Sequence, residues 1–435
     1  MEHFVCDNIS VNEKDHLCFA GQDVTELAAG YGTPLYLMDE DRIRANMRMY
    51  RETMRRLFPA GALPLYAGKA ASFKEIYRIA EEEGLGIDVV SCGEIFTARS
   101  AGFDLSRAYF HSNNKTDEDI AFAMENGVGY FVTDNEEELA VIDRIAGERG
   151  ILQKILLRLT PGIDTHTYDA VNTGKVDSKF GTAIETGQAE EITRRALEKK
   201  NICLRGFHCH VGSQVFAEDV FERSAVIMLR FIADMKKRLG FVTKELDLGG
   251  GYGVRYVETD GYVNIPEKLE SVAETVIKTC AELGIDPPAI HMEPGRSIVA
   301  DAGMTLYTVG NVKRIPGYKN YVSVDGGMGD NPRFALYGSM YSCYNAGRMG
   351  EPRTLKADLV GRCCESGDVI RPDAAFPDST RRYDTVAVCT TGAYNYSMAS
   401  NYNRLPRPAL VMLREGTSRI AVRRETLEDL TACDM

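Results

Sequence analysis

Residues 204–253 read LRGFHCHVGSQVFAEDVFERSAVIMLRFIADMKKRLGFVTKELDLGGGYG. The segment opens on a short apolar run, 204–210, that reads as a strand and ends in a polar cluster, His208 to Gln214. Over 217–240, Phe221, Ala225, Leu229 and Ile232 recur at helical spacing, and Lys236, Lys237 and Arg238 suit the negative end of a helix before Gly240. A second strand follows at 244–248 and breaks into Gly249-Gly250-Gly251. Strand, helix, strand in this order predicts two parallel strands joined by a right-handed crossover.

The same unit repeats outward in both directions. Strands are expected near 63–67, 86–90, 107–111, 129–133 and 154–160, then 204–210, 244–248 and 289–293. Helical stretches lie between most of them. In 268–284 the stripe is Leu269, Val272, Ala273, Val276, Ile277, Cys280 and Leu283, ended by Gly284. Eight such strands can close into a (β/α)8 barrel of the TIM type; an open doubly wound sheet is the alternative on count alone. PLYLMD at 34–39, followed by a helix near 40–57, lies outside the eight. After about residue 300 the pattern becomes strands separated by Gly, Pro and Asn turns: MTLYTVGNVKRI, YVSVD, DTVAVCT and ALVMLREG. This predicts a mostly-β second domain, sandwich- or barrel-like. The expected division is residues 35–300 for the barrel, with 1–34 and 301–435 in the β domain, contributing to the active site and a dimer interface.

A chain of 435 residues suits a large barrel plus one smaller domain. The net charge of −12 argues against a general nucleic-acid binder but leaves room for a local basic pocket. There is no apolar run long enough to span a membrane, and MEHFVCDNIS lacks the basic and apolar regions of a signal peptide. The eleven cysteines are odd in number and form no C-x-x-C pair, so reduced thiols and a cytoplasmic location are expected.

Polar residues gather where the strands end. They include Lys69 (YAGK), Ser91 to Glu94, His111 to Lys115, His208 to Gln214, Asp247 to Gly253 and Glu293 to Arg296. In a closed barrel these ends share one face, where barrel enzymes place their chemistry. Each residue has a plain reading beside the chemical one. Lys69 is either a solvated surface lysine or, partly desolvated in the mouth, an amine able to attack a carbonyl. Glu293 is either a salt-bridge partner of Arg296 or a partner for a ring nitrogen. The triple glycine is either a tight turn or a set of open N–H groups that, with Ser213 and Arg296, hold a phosphate. It fits neither the Walker nor the dinucleotide pattern. His208 and His210 share a strand face, but no third metal ligand stands at a convincing spacing, so no metal is expected. An imidazole lying against a flat ring is the better use of His210. Amine, carboxylate and phosphate cradle together are what pyridoxal 5′-phosphate requires.

From about Tyr31 to Pro408 the chain resembles the fold-type III pyridoxal-phosphate decarboxylases, and within them the diaminopimelate decarboxylase family. The motifs, in order, are YAGKA, GIDVVSCGE, HSNNK, SKFG, GFHCHVGSQ, LDLGGGYG, EPGRSIVADAG, DNPRFALYG, CESGD and GAYNYSMASNYN. The resemblance implies decarboxylation of meso-2,6-diaminopimelate to L-lysine and CO2, the last step of lysine biosynthesis, by a homodimer with shared active sites. Lys69 would bind the cofactor aldehyde, His210 would stack on its ring and take part in catalysis, and Glu293 would meet the ring nitrogen. Asp88, Ser213, Gly249 to Gly251, Gly295, Arg296 and Tyr394 would complete the cofactor site. Arg296, Arg333, Tyr337 and Tyr394 would meet substrate, the first three at the retained carboxylate. Cys364 would return a proton to the carbanion and Glu365 would recognise the distal amine, both from the partner subunit. The departures are Ala71, where many relatives have Asn or Phe, and Arg362-Cys363 ahead of Cys364. Two rivals stand beside this: a decarboxylase of ornithine, arginine or carboxynorspermidine, and a non-catalytic regulatory homologue.

Overall fold

The computed structural model describes residues 4–163, 178–217 and 219–435. It divides into two compact units: Asn46–Gly253 with Tyr262–Ser297, and Met1–Ala45 with Val254–Gly261 and Ile298–Met435.

The first unit contains all eight expected strands: β1 (Ala62–Ala67), β2 (Gly86–Val89), β3 (Ala108–Phe110), β4 (Tyr130–Thr133), β5 (Gln153–Thr160), β6 (Ile202–His208), β7 (Glu245–Asp247) and β8 (Ala289–Met292). Each pairs in parallel with the next, and β8 pairs with β1 through Ile290 and Ala62, so the sheet is a closed barrel and not an open one. The helices between strands are α1 (Lys74–Glu82), α2 (Cys92–Ser100), α3 (Asp117–Glu125), α4 (Glu136–Glu148), α5 (Gln188–Glu198), α6 (Val220–Leu239) and α7 (Ile265–Leu283).

The helices form for the reasons visible in their sequence. In α6 the stripe Phe221, Ala225, Leu229 and Ile232 is buried, and Gly240, at φ +69, turns the chain out of the helix. Pro266 pre-sets the first turn of α7, and Leu269, Val272, Ala273, Val276 and Cys280 are buried. Ile277 is the exception, at 45% exposed. It stands at the flank of the stripe, about 40° around the helix from Ala273, where burial ends. Inside the barrel Leu65, Tyr109, Val132 and Leu156 pack together. Toward the amino ends, Glu245 accepts from Arg205 Nε at 2.9 Å and from the Tyr130 hydroxyl at 3.1 Å. Both bonds fall on the same carboxylate oxygen, Oε1.

In the second unit the long strand Gly303–Arg314 joins several partners. It pairs antiparallel with Leu35–Asp39, Thr385–Cys389 and Asn320–Val324, while Leu35–Asp39 also lies parallel to Ala409–Arg414. The expected boundary at 34/35 therefore falls at 45/46: Leu35–Asp39 finds its hydrogen bonds in this sheet. Val254–Gly261 belongs here too, with Tyr256 set edge-on to Tyr341 at 5.4 Å.

Just after that strand, Glu40 is fully buried. It accepts from Arg44 Nε at 2.8 Å, Arg414 Nη1 at 3.1 Å and Arg419 Nη2 at 2.7 Å. Burial pushes its carboxyl up, and the arginines more than reverse this. Glu40→Ala would remove a buried carboxylate from among three arginines. A loss of about 3 kcal/mol is expected, read from the urea midpoint; an unchanged midpoint would show the cluster contributes nothing to stability.

Candidate active site

Glu293 follows β8 and is buried, with its N–H bonded to the Gly249 carbonyl at 2.9 Å. Two imidazoles approach the same carboxylate oxygen. His111 Nε2 lies 2.8 Å from Oε1 and His208 Nε2 lies 3.2 Å from it. His111 stands just past β3, its N–H bonded to the Val89 carbonyl, and His208 ends β6. Burial pushes the Glu293 carboxyl up, but the His111 and His208 rings hold it well below the usual carboxylate range. Burial holds His208 down at about 4, so it is neutral at neutral pH. The sequence suggested Arg296 as an alternative partner for Glu293; instead Arg296 Nη2 donates to Ser213 Oγ at 2.9 Å. The third group missing beside His208 in the sequence is also supplied: His111, His208 and Glu293 lie within 4.8 Å of one another. Both separations, 2.8 and 3.2 Å, are within ion-pair reach, although neither ring nitrogen is aligned on the oxygen as a hydrogen bond.

Other carboxyls crowd the same strand ends and behave differently. Asp88 in β2 has Oδ1 3.8 Å from His111 Nε2, and burial raises its carboxyl despite that neighbour. Burial and the Glu293 charge push Asp247, at the end of β7, well above its usual range. Glu94 is pushed up to about 7 by burial. Of these four, Glu293 alone is held down.

The triple glycine is more committed than the sequence suggests. The Gly249 N–H donates to Asp247 Oδ1 at 2.8 Å and the Gly250 N–H to His210 Nδ1 at 3.3 Å. Two of the three N–H groups expected to be open are thus in use. The glycines are needed for close approach: a Cβ on Gly250 would lie 2.0 Å from the Glu293 carbonyl oxygen, and one on Gly251, at φ +129, 2.0 Å from that of Gly212. Because His210 Nδ1 accepts a hydrogen bond, its proton resides on Nε2. Desolvation, then the nearby Lys69 charge, holds this imidazole well below its ordinary value. Lys69 lies in the single 3-10 turn Gly68–Ala70 after β1 and is exposed, so the partial desolvation expected of it is not found in the single chain. Gly295 sits between Glu293 and Arg296, where a Cβ would come within 2.9 Å of the Ala67 Cβ.

The second unit holds its own group. Arg333 opens the short helix Arg333–Tyr337 and is 6% exposed. Its guanidinium carbon lies 4.9 Å from the ring centroids of both Tyr337 and Tyr394. It forms no ion pair among the described residues, and its Nε has no acceptor. Tyr394 takes a left-handed backbone, φ +70. Cys364 and Glu365 are exposed on a loop pinned by Asp368, whose carboxylate takes the N–H groups of Cys363 at 2.7 Å and Met328 at 2.6 Å. Cys363 is half-buried, its thiol pushed up to about 11 by burial and Asp368.

Lys69, Asp88, His210, Ser213, Gly249 to Gly251, Glu293, Gly295 and Arg296 therefore belong to the barrel unit; Arg333, Tyr337 and Tyr394 meet in the β unit, with Cys364 and Glu365 on its exposed loop. Sequence reasoning missed His111 as a partner of Glu293 and assigned His208 no role there. The signal was present in HSNNK, a polar cluster at a strand end that opens on histidine.

The His208 shift carries a pH dependence. Its folded value, about 4, lies below the ordinary 6.5, so the unfolded chain binds the proton first as pH falls. The stability tied to its neutral form is present above 6.5 and lost as pH drops toward 4. Urea midpoints of the wild type should fall across this window by about 3 kcal/mol more than those of His208→Gln. Parallel curves for the two proteins would refute the assignment.

Known proteins that resemble this chain are pyridoxal-dependent decarboxylases. A family model for the pyridoxal-binding domain of pyridoxal-dependent decarboxylases matches residues 40–300. The diaminopimelate decarboxylase of Bacillus subtilis (strain 168) is 43% identical over 426 residues, 98% of this chain and 96% of that protein. The crystal structure of diaminopimelate decarboxylase from M. jannaschii in co-complex with L-lysine is similar with a TM-score of 0.91 and 30% identity, covering 100% of this chain and 99% of that one. That of the Helicobacter pylori enzyme complexed with L-lysine has a TM-score of 0.84 and 31% identity, covering 94% of this chain and 98% of that one.

Proposed function

The chain belongs to the diaminopimelate decarboxylase family of pyridoxal-dependent decarboxylases, and from that premise we propose how its own residues release CO2 from meso-2,6-diaminopimelate to leave L-lysine. The observation that carries the choice of substrate is Arg333, a buried cation between two tyrosine rings with no carboxylate partner among the described residues. A buried guanidinium without a counter-charge is costly, and a planar carboxylate matches its fork. Diaminopimelate keeps a carboxylate at its far end after the reaction. Lysine, ornithine and arginine carry only a cation there.

The barrel residues fit pyridoxal phosphate. Asp88 Oδ1, Glu293 Oε1 and both His208 ring nitrogens are buried without a well-aligned hydrogen-bond partner, so the strand ends offer polar groups to a ligand. When bound, the cofactor supplies a sink for the electron pair that departing CO2 leaves behind. Lys69 Nζ would hold the cofactor's aldehyde group, and Glu293 would keep a proton at its ring nitrogen. His210, neutral and with its proton on Nε2, would lie against the ring. Ser213 and Arg296, already bonded to each other, would take the phosphate with the Gly251 N–H and Tyr394, and Asp88 and Gly295 would complete the site. Arg333, Tyr337 and Arg296 orient the retained carboxylate.

The remaining roles fall to the exposed loop. Cys364 Sγ returns a proton to the carbon that lost CO2, and Glu365 receives the distal ammonium, both reaching the site from the second copy of a homodimer. Their exposure on a pinned loop supports this, since a rigid, outward-facing thiol is placed to serve another chain. All eleven cysteines are free, which supports a reducing, cytoplasmic setting. Among the described residues no helix is long and apolar enough to cross a membrane.

The test is CO2 release from the purified protein with added cofactor. Release is expected from meso-diaminopimelate, with lysine as product, and not from ornithine, arginine, lysine or carboxynorspermidine. Release from one of those instead would overturn the role of Arg333; none from any would support a non-catalytic homologue. Arg333→Ala should lose at least about 100-fold in kcat/KM while keeping the visible band of bound cofactor. Cys364→Ala should lower kcat by about 100-fold or more and Cys363→Ala by less than about threefold; the reverse order would assign the proton to Cys363.

A further inference from the structure

We propose that His111 and His208 are positioning residues for Glu293: approaching one oxygen from two strand ends, they fix its orientation and keep it as the ionised carboxylate that faces the cofactor. This rests on the reading of the site given above.

The argument begins with competition. Asp88, Asp247 and Glu293 are all buried at the ends of β2, β7 and β8, and so many carboxylates in one dry space cannot all stay charged. What separates them is who faces whom. Two imidazole Nε2 atoms stand 2.8 and 3.2 Å from Glu293 Oε1. Asp88 Oδ1 has His111 Nε2 farther away, at 3.8 Å, with a further pull from the Lys69 charge, and Asp247 accepts a backbone N–H. The rings of His111 and His208 meet edge to face, with centroids 4.9 Å apart, so each braces the other against rotation. The Arg158 cation adds a longer-range pull on Glu293 and Asp88 alike, so it does not choose between them. The two histidines of HCH thereby divide the work: His208 serves the carboxylate, and His210 is held by Gly250.

A merely structural pair would shape the pocket for any ring. A pair acting through Glu293 matters only when that ring has a nitrogen to hold. The decisive measurement is the affinity of the purified protein for pyridoxal phosphate and for the analogue with carbon in place of the ring nitrogen. It is made by absorbance titration on wild type, His111→Ala, His208→Ala and the corresponding Gln variants. Ala at either position should weaken binding of the natural cofactor at least about tenfold and change that of the carbon analogue less than about twofold. Gln, which keeps an N–H donor, should recover most of the loss. In a Glu293→Gln background the histidine substitutions should cost less than about twofold. Equal losses for the two cofactors, or full losses without Glu293, would overturn the proposal even with every variant folded. A wild type that binds cofactor but releases no CO2 from diaminopimelate would refute the substrate reading and leave this test standing; one that binds neither cofactor would overturn both.

Discussion

A negative charge with almost no access to water must be matched from within the protein, and Glu293 sets that requirement for the barrel. No single strand can meet it. The groups that do so stand at the ends of β3 and β6, and a third element, the glycine turn after β7, takes the Glu293 N–H. These contacts exist only when the sheet is closed and every strand runs the same way. Barrel closure and the ionisation of one carboxylate are in this sense the same constraint.

The β unit handles buried charge in two opposite ways. Glu40 is surrounded by three arginines and is internally complete. Arg333 is flanked by two aromatic rings and forms no ion pair among the described residues. Tyrosine faces attract a cation but do not neutralise it. The first arrangement is complete within the fold; the second is what the proposed carboxylate role of Arg333 rests on. The left-handed backbone of Tyr394 is consistent with this, since strain of that kind is kept where a side chain must be held in one place.

The glycine turn shows how one feature does work that its sequence only half reveals. Gly249 and Gly250 spend their N–H groups on Asp247 and His210. One bond anchors the turn, and the other fixes which nitrogen of His210 carries its proton. Gly250 and Gly251 are glycines because the carbonyls of Glu293 and Gly212, respectively, come too near for any side chain.

The alternation of strand and helix, the stripe of α6 and the polar clusters at strand ends were legible because each depends on neighbours within a few residues, and periodicity records those directly. The ordered motifs carried the family as well. The sequence could not show that Glu293 faces His111 and His208 and not Arg296, nor that two glycine N–H groups are occupied, nor that Ile277 sits at the edge of its stripe. It also placed Leu35–Asp39 with the barrel, although its hydrogen-bond partners lie near residues 303 and 411. These facts depend on distances between segments far apart in the chain. Local pattern determined which elements form and where the polar residues stand along them; only the closed sheet decided which charges meet, because burial and pairing are properties of the packed structure and not of any one segment.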